Sequence, residues 1–225
     1  LPPEVCRQFE DKTGSIIFEG YGLSETSPVV TSNPTSREDR KIGSIGFPVP
    51  STDVKIVDLD TGVKELPQGE DGEIAINGPQ VMQGYWNKPE ATAETIVDGW
   101  LHSGDLGYVD EDGFLYLVDR MKDMIISGGV NVYPRDIEEI VAQHPEVQEV
   151  AVLGIPHEKW GETPVAAVIL HKPDSITAEA LRDWINARVA AKFQRVHDVV
   201  IMEEFPRNVA GKTLKRVMRE NYKLI

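Results

Sequence analysis

The sequence changes character across residues 119–134, which read Asp-Arg-Met-Lys-Asp-Met-Ile-Ile-Ser-Gly-Gly-Val-Asn-Val-Tyr-Pro. Short apolar segments separated by turn residues precede this stretch, a pattern typical of an antiparallel sheet or a small barrel. Segments typical of strands and of helices alternate after it, which indicates an α+β unit of about 100 residues. We therefore place a domain boundary in the charged connector from Asp119 to Asp123 and predict two domains, 1–120 and 121–225.

The first domain is predicted to be mostly β-structure. An apolar run at 16–18 predicts a short strand that leads into a glycine-flanked polar turn, Gly20 to Thr26. Apolar and alternating runs predict further strands at 54–57, 73–77 and 115–117. Closely spaced strands of this kind favour an antiparallel sheet or a distorted barrel.

The second domain is predicted to alternate strands with helices. Pro134 can occupy the first position of one helix, Thr177 can open a second that runs through Val189, and Thr213 can cap a third. The predicted strands of this domain are 147–155, 164–170 and 196–202. The fold class is therefore mixed α+β.

Composition excludes several classes of protein. Of the 225 residues, 40% are hydrophobic and 27% charged, which is a globular mixture. The net charge is −14, carried almost entirely by residues 1–120, and this argues against nonspecific nucleic-acid binding. The exception is a basic segment from Arg207 to Lys223, which fits either a small anionic ligand or a solvated helix face. A single cysteine, Cys6, excludes an internal disulfide framework and fits a reducing compartment.

The ends of the chain give no targeting signal that we recognise. The sequence starts at Leu1, just before a helix-like stretch at 4–12, and we expect it to be a piece of a longer protein. No apolar run reaches the 18 or so residues that cross a bilayer. We expect a cytoplasmic protein, with peripheral membrane contact left open.

Four polar clusters next to glycine could carry chemistry. They are 21–26, 101–106, 119–123 and 208–212. Each alone is equally compatible with an ordinary turn. The Gly211-Lys212 pair is not a phosphate loop, because the upstream glycine of that motif is missing. His102 is most simply a hydrogen-bonded turn residue, and the lack of Cys/His pairs makes zinc improbable.

In their order and spacing, these clusters resemble the C-terminal part of an adenylate-forming enzyme. The matching stretches are Tyr21-Gly22-Leu23-Ser24-Glu25-Thr26, Gly72-Glu73-Ile74 with Gly84-Tyr85-Trp86, Gly99-Trp100-Leu101-His102-Ser103-Gly104-Asp105, Asp119-Arg120-Met121-Lys122-Asp123 followed by Gly128-Gly129 and Tyr133-Pro134, and Pro206-Arg207-Asn208-Val209-Ala210-Gly211-Lys212. They cover nearly the whole chain. Within the superfamily, the resemblance is strongest to fatty acid:CoA ligases.

The resemblance implies a fold and a two-step reaction. Residues 1–120 would be the end of a large AMP-binding domain, and 121–225 a small α+β lid. A carboxylate would attack the α-phosphate of ATP with Mg²⁺ present, and the thiol of CoA would then displace AMP after the lid has rotated.

The resemblance also assigns roles to individual residues. Tyr21 would lie near the adenine, Ser24 would donate to the α-phosphate, and Glu25 would bind Mg²⁺, which prefers oxygen ligands. Asp105 would accept both ribose hydroxyls, and Arg120 would contact the same ribose.

The lid would supply the remaining roles. Lys212 would bridge the acid and the ATP phosphates, Lys122 would lie at the hinge, and Gly128 and Gly129 would let the pantetheine arm of CoA pass. The plainer interpretations of Lys122 and the two glycines are an exposed lysine and a tight turn. Cys6 precedes every motif, so the thiol must come from CoA or from a carrier protein.

Part of the family pattern is absent. The glycine- and serine-rich phosphate loop and the acyl tunnel would lie upstream of Leu1, so we expect the chain alone to bind ligands without turnover. The partners would be a carboxylic acid, ATP, CoA and the missing N-terminal region, with oligomerisation left open. The alternatives are an adenylation domain that loads a carrier protein, and a noncatalytic module that binds nucleotide or CoA.

Overall fold

The computed structural model describes residues 3–209 and 211–222. It divides into two compact units, one ending at Met121 and the other beginning at Lys122. We call them unit 1 and unit 2. Among the described residues, none of the helices is both long and apolar enough to cross a membrane. The mixed α+β class predicted from the sequence is confirmed, with helices and antiparallel strands in both units.

Unit 1 begins with helix α1 (Pro3–Thr13), followed by a three-stranded antiparallel sheet. Its strands are β1 (Gly20–Gly22), β2 (Val29–Ser32) and β3 (Phe47–Pro48), in the order β1-β2-β3. The strand predicted at 16–18 was wrong. The backbone of Ile17 bonds side chains rather than another strand. Its amide donates to Glu10 at 2.9 Å, and its carbonyl accepts from Arg40 at 2.6 Å.

A second antiparallel sheet makes up the rest of unit 1. Its five strands are β4 (Asp53–Val57), β5 (Gly72–Asn77), β6 (Ile96–Val97), β7 (Trp100–Val109) and β8 (Leu115–Arg120). The order is β4-β5-β7-β6, and β8 pairs with the later part of β7. A short helix, α2 (Pro89–Thr95), precedes β6. The strands predicted at 54–57, 73–77 and 115–117 are thus confirmed.

One apolar cluster joins the two sheets of unit 1. Its fully buried members come from β2, β5 and β7 and are Val30, Ile74, Ile76 and Leu101. Burying such a side chain contributes about 1.5–3 kcal/mol. This cluster fixes the spacing between β1–β2 and the long strand β7, and the candidate site lies on these strands.

Unit 2 is built on one long antiparallel pair. Its first strands are β9 (Ile125–Ser127), β10 (Val130–Val132), β11 (Val147–His157) and β12 (Gly161–Leu170), in the order β10-β9-β12-β11. The last strand, β13 (Asp198–Ile201), runs parallel to β12.

Helices cover both faces of this sheet. Alternate residues of β11 and β12 point to opposite sides, as expected for a pleated strand. Helices α3 (Pro134–Val141) and α4 (Ala178–Asn186) pack on the face that carries Val152 and Val168, while α5 (Lys215–Asn221) packs on the face of Leu153 and Val165.

Two predicted helix ends differ from the structure. Thr177 caps α4 as predicted, accepting from the amide of Ala180 at 3.2 Å, but the helix ends at Asn186 rather than at Val189. The side chain of Asn186 bonds the amide and carbonyl of Val196 instead of leaving room for another turn. Leu214, not Thr213, precedes α5, because Thr213 is bridged to Arg207.

Candidate functional site

Asp105 is the centre of a buried cluster in unit 1. It is 5% exposed and lies on β7 directly opposite Arg120 of β8. The Tyr21 hydroxyl donates to its Oδ2 at 2.7 Å, and the Arg120 Nε lies 3.5 Å from its Oδ1. Three of the predicted site residues, far apart in sequence, are therefore brought together on three strands.

The protonation state of Tyr21 is well defined. Burial raises the pKa of its hydroxyl, and the negative charge of Asp105 raises it further. Tyr21 is therefore a permanent donor to Asp105 at any physiological pH. A carboxylate offers about four lone-pair positions, so this bond leaves acceptor capacity for a ligand diol.

A bulge in β7 presents Asp105. Glu73 pairs with Leu106 and Ala75 with His102, so the single residue between them on β5 faces three on β7. The Glu73 carboxylate accepts from the Gly104 amide at 2.9 Å and bonds His102 Nδ1 at 2.7 Å. Sequence reasoning did not assign Glu73 a role, although its Gly72-Glu73-Ile74 motif was recognised. His102 is hydrogen-bonded, as the sequence indicated, but it lies in strand β7 rather than in a turn.

Glu25 and Ser24 lie in a 3₁₀ turn, Ser24–Thr26, that follows β1. The Tyr85 hydroxyl donates to Glu25 Oε1 at 2.9 Å, and the Glu25 carbonyl accepts from the Met82 amide at 2.7 Å. Burial raises the pKa of Tyr85, and its bond to Glu25 adds to this effect, so Tyr85 stays a donor. Ser24 is exposed. Tyr85 is a second residue that the sequence analysis missed, again within a recognised motif.

The donor set around Glu25 fits a magnesium ion held mainly by a substrate. Among the residues that the structure describes, no three His, Cys, Asp or Glu side chains are grouped to hold a metal. Mg²⁺ characteristically uses one or two carboxylates together with substrate phosphates. A single oriented carboxylate is sufficient for that arrangement.

Lys212 lies in a short closed loop of unit 2. The Asn208 amide donates to the Lys212 carbonyl at 3.0 Å, and the Asn208 side-chain oxygen accepts from the Lys212 amide at 2.9 Å. Arg207 ties this loop to the sheet: it pairs with Glu149 of β11 and donates to the Gly211 carbonyl at 3.1 Å. Lys212 itself is exposed. Hydrogen bonds thus hold the backbone of Gly211 and Lys212, and the Lys212 side chain is exposed.

Gly128 lines a cavity of about 670 Å³ in unit 2. A Cβ at Gly128 would lie 3.0 Å from the Trp160 ring, and its φ of +62° favours glycine as well. Gly129 follows it in the turn between β9 and β10. Cations and aromatic rings share the lining, namely Arg182, Lys192, Arg195, His157, His197, Trp160 and Phe193. This combination suits an anionic ligand with a flat ring.

Lys122 lies in a 3₁₀ turn, Met121–Asp123, at the point where unit 1 ends and unit 2 begins. Its side chain is exposed. The position agrees with a connector between two compact units, and its predicted role as a hinge stays a prediction.

Comparison with known proteins gives one consistent result. The family model described as AMP-binding enzyme matches residues 1–86, and the model described as AMP-binding enzyme C-terminal domain matches 136–212. A long-chain-fatty-acid–CoA ligase of Bacillus subtilis is 47% identical over 221 residues, which are 98% of this chain and 39% of the relative.

Two solved structures are similar as well. The ATP-bound MatB from Rhodopseudomonas palustris is 39% identical with a TM-score of 0.92, covering 98% of this chain and 43% of that one. The O-succinylbenzoate coenzyme A synthetase MenE from Bacillus subtilis, in complex with ATP and a magnesium ion, is 36% identical with a TM-score of 0.83, covering 96% and 44%. The chain thus spans less than half the length of these relatives.

Proposed function

The chain belongs to the AMP-binding enzymes, and from this premise we propose that it is the C-terminal part of an ATP-dependent fatty acid:CoA ligase. The Asp105 cluster is the observation that carries the proposal. A buried carboxylate, held by Tyr21 and Arg120, has further lone pairs that could accept from the two hydroxyls of a ribose. We propose that Tyr21, Ser24, Asp105 and Arg120 bind the nucleotide.

Glu25 is proposed to face the phosphate end of the same nucleotide. Tyr21 and Glu25 are separated by only three residues, and Tyr85 orients one oxygen of Glu25 at 2.9 Å. A bound Mg²⁺ would neutralise charge on the phosphates. Tyr85 would keep the Glu25 carboxylate in one rotamer, which reduces the entropy lost when the metal–nucleotide complex binds.

Lys212 is proposed to serve the first step. A carboxylate oxygen of the acid attacks the α-phosphorus of ATP, and pyrophosphate leaves with the electrons of the broken P–O bond. The Lys212 ammonium would stabilise the negative charge on the oxygens that are exchanged. Removing one preorganised donor of this type typically costs about 3 kcal/mol, or 10² to 10³ in rate.

The cavity beside Gly128 is proposed to serve the second step. The thiol of CoA attacks the acyl carbonyl and AMP leaves. The phosphates and the adenine of CoA complement the cations and the rings that line this cavity. Lys122 is proposed as the hinge at which unit 2 would rotate between the first step and the second. A few backbone torsions between two compact units can absorb a large rotation.

The fatty-acid preference is supported by relatives and not by pocket geometry. The Bacillus subtilis relative is named for long-chain fatty acids, whereas MenE is named for o-succinylbenzoate. Since the chain spans 39% of the first of these, we propose that the acyl tunnel and the phosphate loop belong to another part of the same protein. The isolated chain is then expected to bind nucleotide without turnover, and the complete ligase to act in the cytoplasm.

Acid-dependent exchange of pyrophosphate into ATP tests this proposal. A protein of the relatives' length that carries this chain should show exchange with long-chain fatty acids, and much less with short dicarboxylates or aromatic acids. Exchange that depends on another class of acid would contradict the substrate assignment. Nucleotide binding without exchange for any acid would favour a noncatalytic module.

A further inference from the structure

We propose that Glu73 is a positioning residue for nucleotide recognition, because it fixes the bulge that carries Asp105. This inference rests on the ribose-binding role proposed above for Asp105. Glu73 itself would touch no nucleotide and would act through the backbone of β7. The argument comes from the register of two strands and from the contacts of one buried carboxylate.

The bulge in β7 needs a specific support. Pairing of β5 with β7 is interrupted between Glu73 and Ala75, where Ser103, Gly104 and Asp105 stand opposite Ile74 alone. Extra residues in a bulge are left out of the ladder, so their amides need other acceptors. Without such acceptors, β7 could pair in a different register and turn Asp105 away from Tyr21.

Glu73 supplies one acceptor to the bulge itself and one to the residue just before it. One carboxylate oxygen accepts from the Gly104 amide at 2.9 Å, and the other bonds His102 Nδ1 at 2.7 Å. The Glu73 side chain is 10% exposed and that of His102 is 15% exposed, so water does not compete freely for these bonds. Charged acceptors form stronger hydrogen bonds than neutral ones.

The conformation of Gly104 makes this contact directional. Its φ of +70° turns the amide into an orientation that most residues avoid. The next amide, that of Asp105, donates back to the Ser103 hydroxyl at 3.1 Å. Glu73 therefore anchors the Ser103–Gly104 peptide, and the Ser103 hydroxyl holds the Gly104–Asp105 peptide that follows. Together these two peptides set the direction of the Asp105 side chain.

A positioning role and a merely structural role predict different binding data. A structural defect would weaken all nucleotides alike and lower the melting temperature. A misdirected Asp105 would reduce only the part of the affinity that comes from the ribose hydroxyls. The ratio of affinities for AMP and 2′,3′-dideoxy-AMP isolates that part, because the second nucleotide lacks both hydroxyls.

The experiment measures this ratio by calorimetry in the ligase that carries the chain. In the wild type we expect AMP to bind about 10- to 100-fold more tightly than its dideoxy form, as hydrogen bonds to a charged group imply. Glu73→Leu removes both acceptors and should bring the ratio to within about threefold of that of Asp105→Asn. Glu73→Gln should keep most of the ratio, because its amide oxygen can accept from Gly104 and its amino group can donate to the other tautomer of His102.

Glu10→Gln is the matched control. Glu10 is another buried carboxylate of unit 1, but it bonds the amide of Ile17 and the side chain of Arg40, neither of which belongs to the bulge. This control should lower thermal stability and leave the nucleotide ratio unchanged. In an Asp105→Asn background, Glu73→Leu should produce no further change in the ratio.

The outcomes separate this inference from the proposed function. A wild-type ratio near one would overturn both. A ratio that collapses in Asp105→Asn but persists in Glu73→Leu would overturn the positioning role alone. If Glu73→Leu does not fold, Glu73→Asp takes its place, since its shorter side chain cannot reach both donors, and an unchanged ratio in that variant would contradict the proposal.

Discussion

The Asp105 cluster of unit 1 and the Lys212 loop of unit 2 present charge in opposite ways. Asp105 is 5% exposed and held by Tyr21 and Arg120. Lys212 is exposed, and its backbone amide donates to the Asn208 side chain. The comparison teaches that the group proposed for recognition is buried and held in place, whereas the lysine proposed for catalysis is exposed at the surface. Preorganisation favours affinity, and an exposed position suits a lysine that is proposed to act in one step and withdraw in the next.

The largest expected effect is on the adenylation rate, and it follows from removing the exposed Lys212. Lys212→Ala should lower the adenylation rate about 10²- to 10³-fold, because one charge-stabilising donor is lost. Formation of the thioester from supplied acyl-adenylate should change little. Pyrophosphate exchange measures the first step and thioester release the second. Arg216→Ala, which removes an exposed cation paired with Glu220 on the same helix, is the control, and equal losses in both steps for Lys212→Ala would disprove the division of labour.

The next largest effect is on nucleotide affinity, and it follows from changing the buried Asp105. Asp105→Asn keeps the shape of the side chain but removes the charge that is proposed to accept from the ribose, and it should weaken the binding of AMP and ATP about 10- to 100-fold. Calorimetry with each nucleotide measures this. Asp112→Asn, at an exposed position paired with Lys41, should leave both affinities unchanged. Unaltered nucleotide affinity in Asp105→Asn would reject its ribose role.

A smaller effect is expected where the Lys212 loop joins its sheet. Arg207→Ala breaks the pair with Glu149 and the bond to the Gly211 carbonyl, so the loop that carries Lys212 should loosen. Because this pair is partly exposed, the adenylation rate should fall by about fivefold at most. A loss as large as that of Lys212→Ala would show that Arg207 acts on the substrate directly.

The smallest effect at neutral pH concerns the acid sensitivity of unit 1. The Arg40 side chain, with the Ile17 amide, lowers the pKa of Glu10 from 4.5 to about 2. Hydrogen bonds from Thr61 lower the pKa of Asp58. Burial alone would raise the pKa of Asp110, but its hydrogen bond with Lys41 helps to lower that pKa below the usual value. A carboxyl whose pKa is lower in the folded state stabilises the fold above its unfolded pKa, and this stabilisation is lost as the pH falls toward the folded value.

Unit 1 should therefore lose stability between about pH 4.5 and pH 2. Hydrogen exchange followed by mass spectrometry across this range should show α1 and the 16–18 segment opening, and Glu10→Gln should remove the part of the pH dependence that belongs to Glu10. A pH dependence that the substitution leaves intact would assign it to other groups.

The sequence predicted the elements of the fold better than their ends. The periodicity of α4 and its Thr177 cap were visible, but its end at Asn186 depends on bonds to Val196, ten residues away. The apolar run at 16–18 has strand composition, yet the side chains of Glu10 and Arg40 take its backbone bonds. Such distant side-chain partners leave no local pattern.

The candidate site was predicted through motifs, and its supports were not. Resemblance pointed to Tyr21, Asp105 and Arg120, and the structure shows them in contact. Glu73 and Tyr85 belong to recognised motifs as well. Composition alone, however, cannot distinguish a carboxylate or hydroxyl that holds a site residue in place from one that only faces solvent. Only strand register shows that Glu73 bonds the bulge before Asp105.

The most direct test of the central claim is the kinetics of acid-dependent pyrophosphate exchange as a function of ATP concentration, with Asp105→Asn and Lys212→Ala measured side by side. If the buried group recognises and the exposed group reacts, Asp105→Asn should chiefly raise the KM for ATP, and Lys212→Ala should chiefly lower the maximal rate. Changes of the same parameter by the same factor in both variants would contradict the division between a buried recognition group and an exposed reactive lysine.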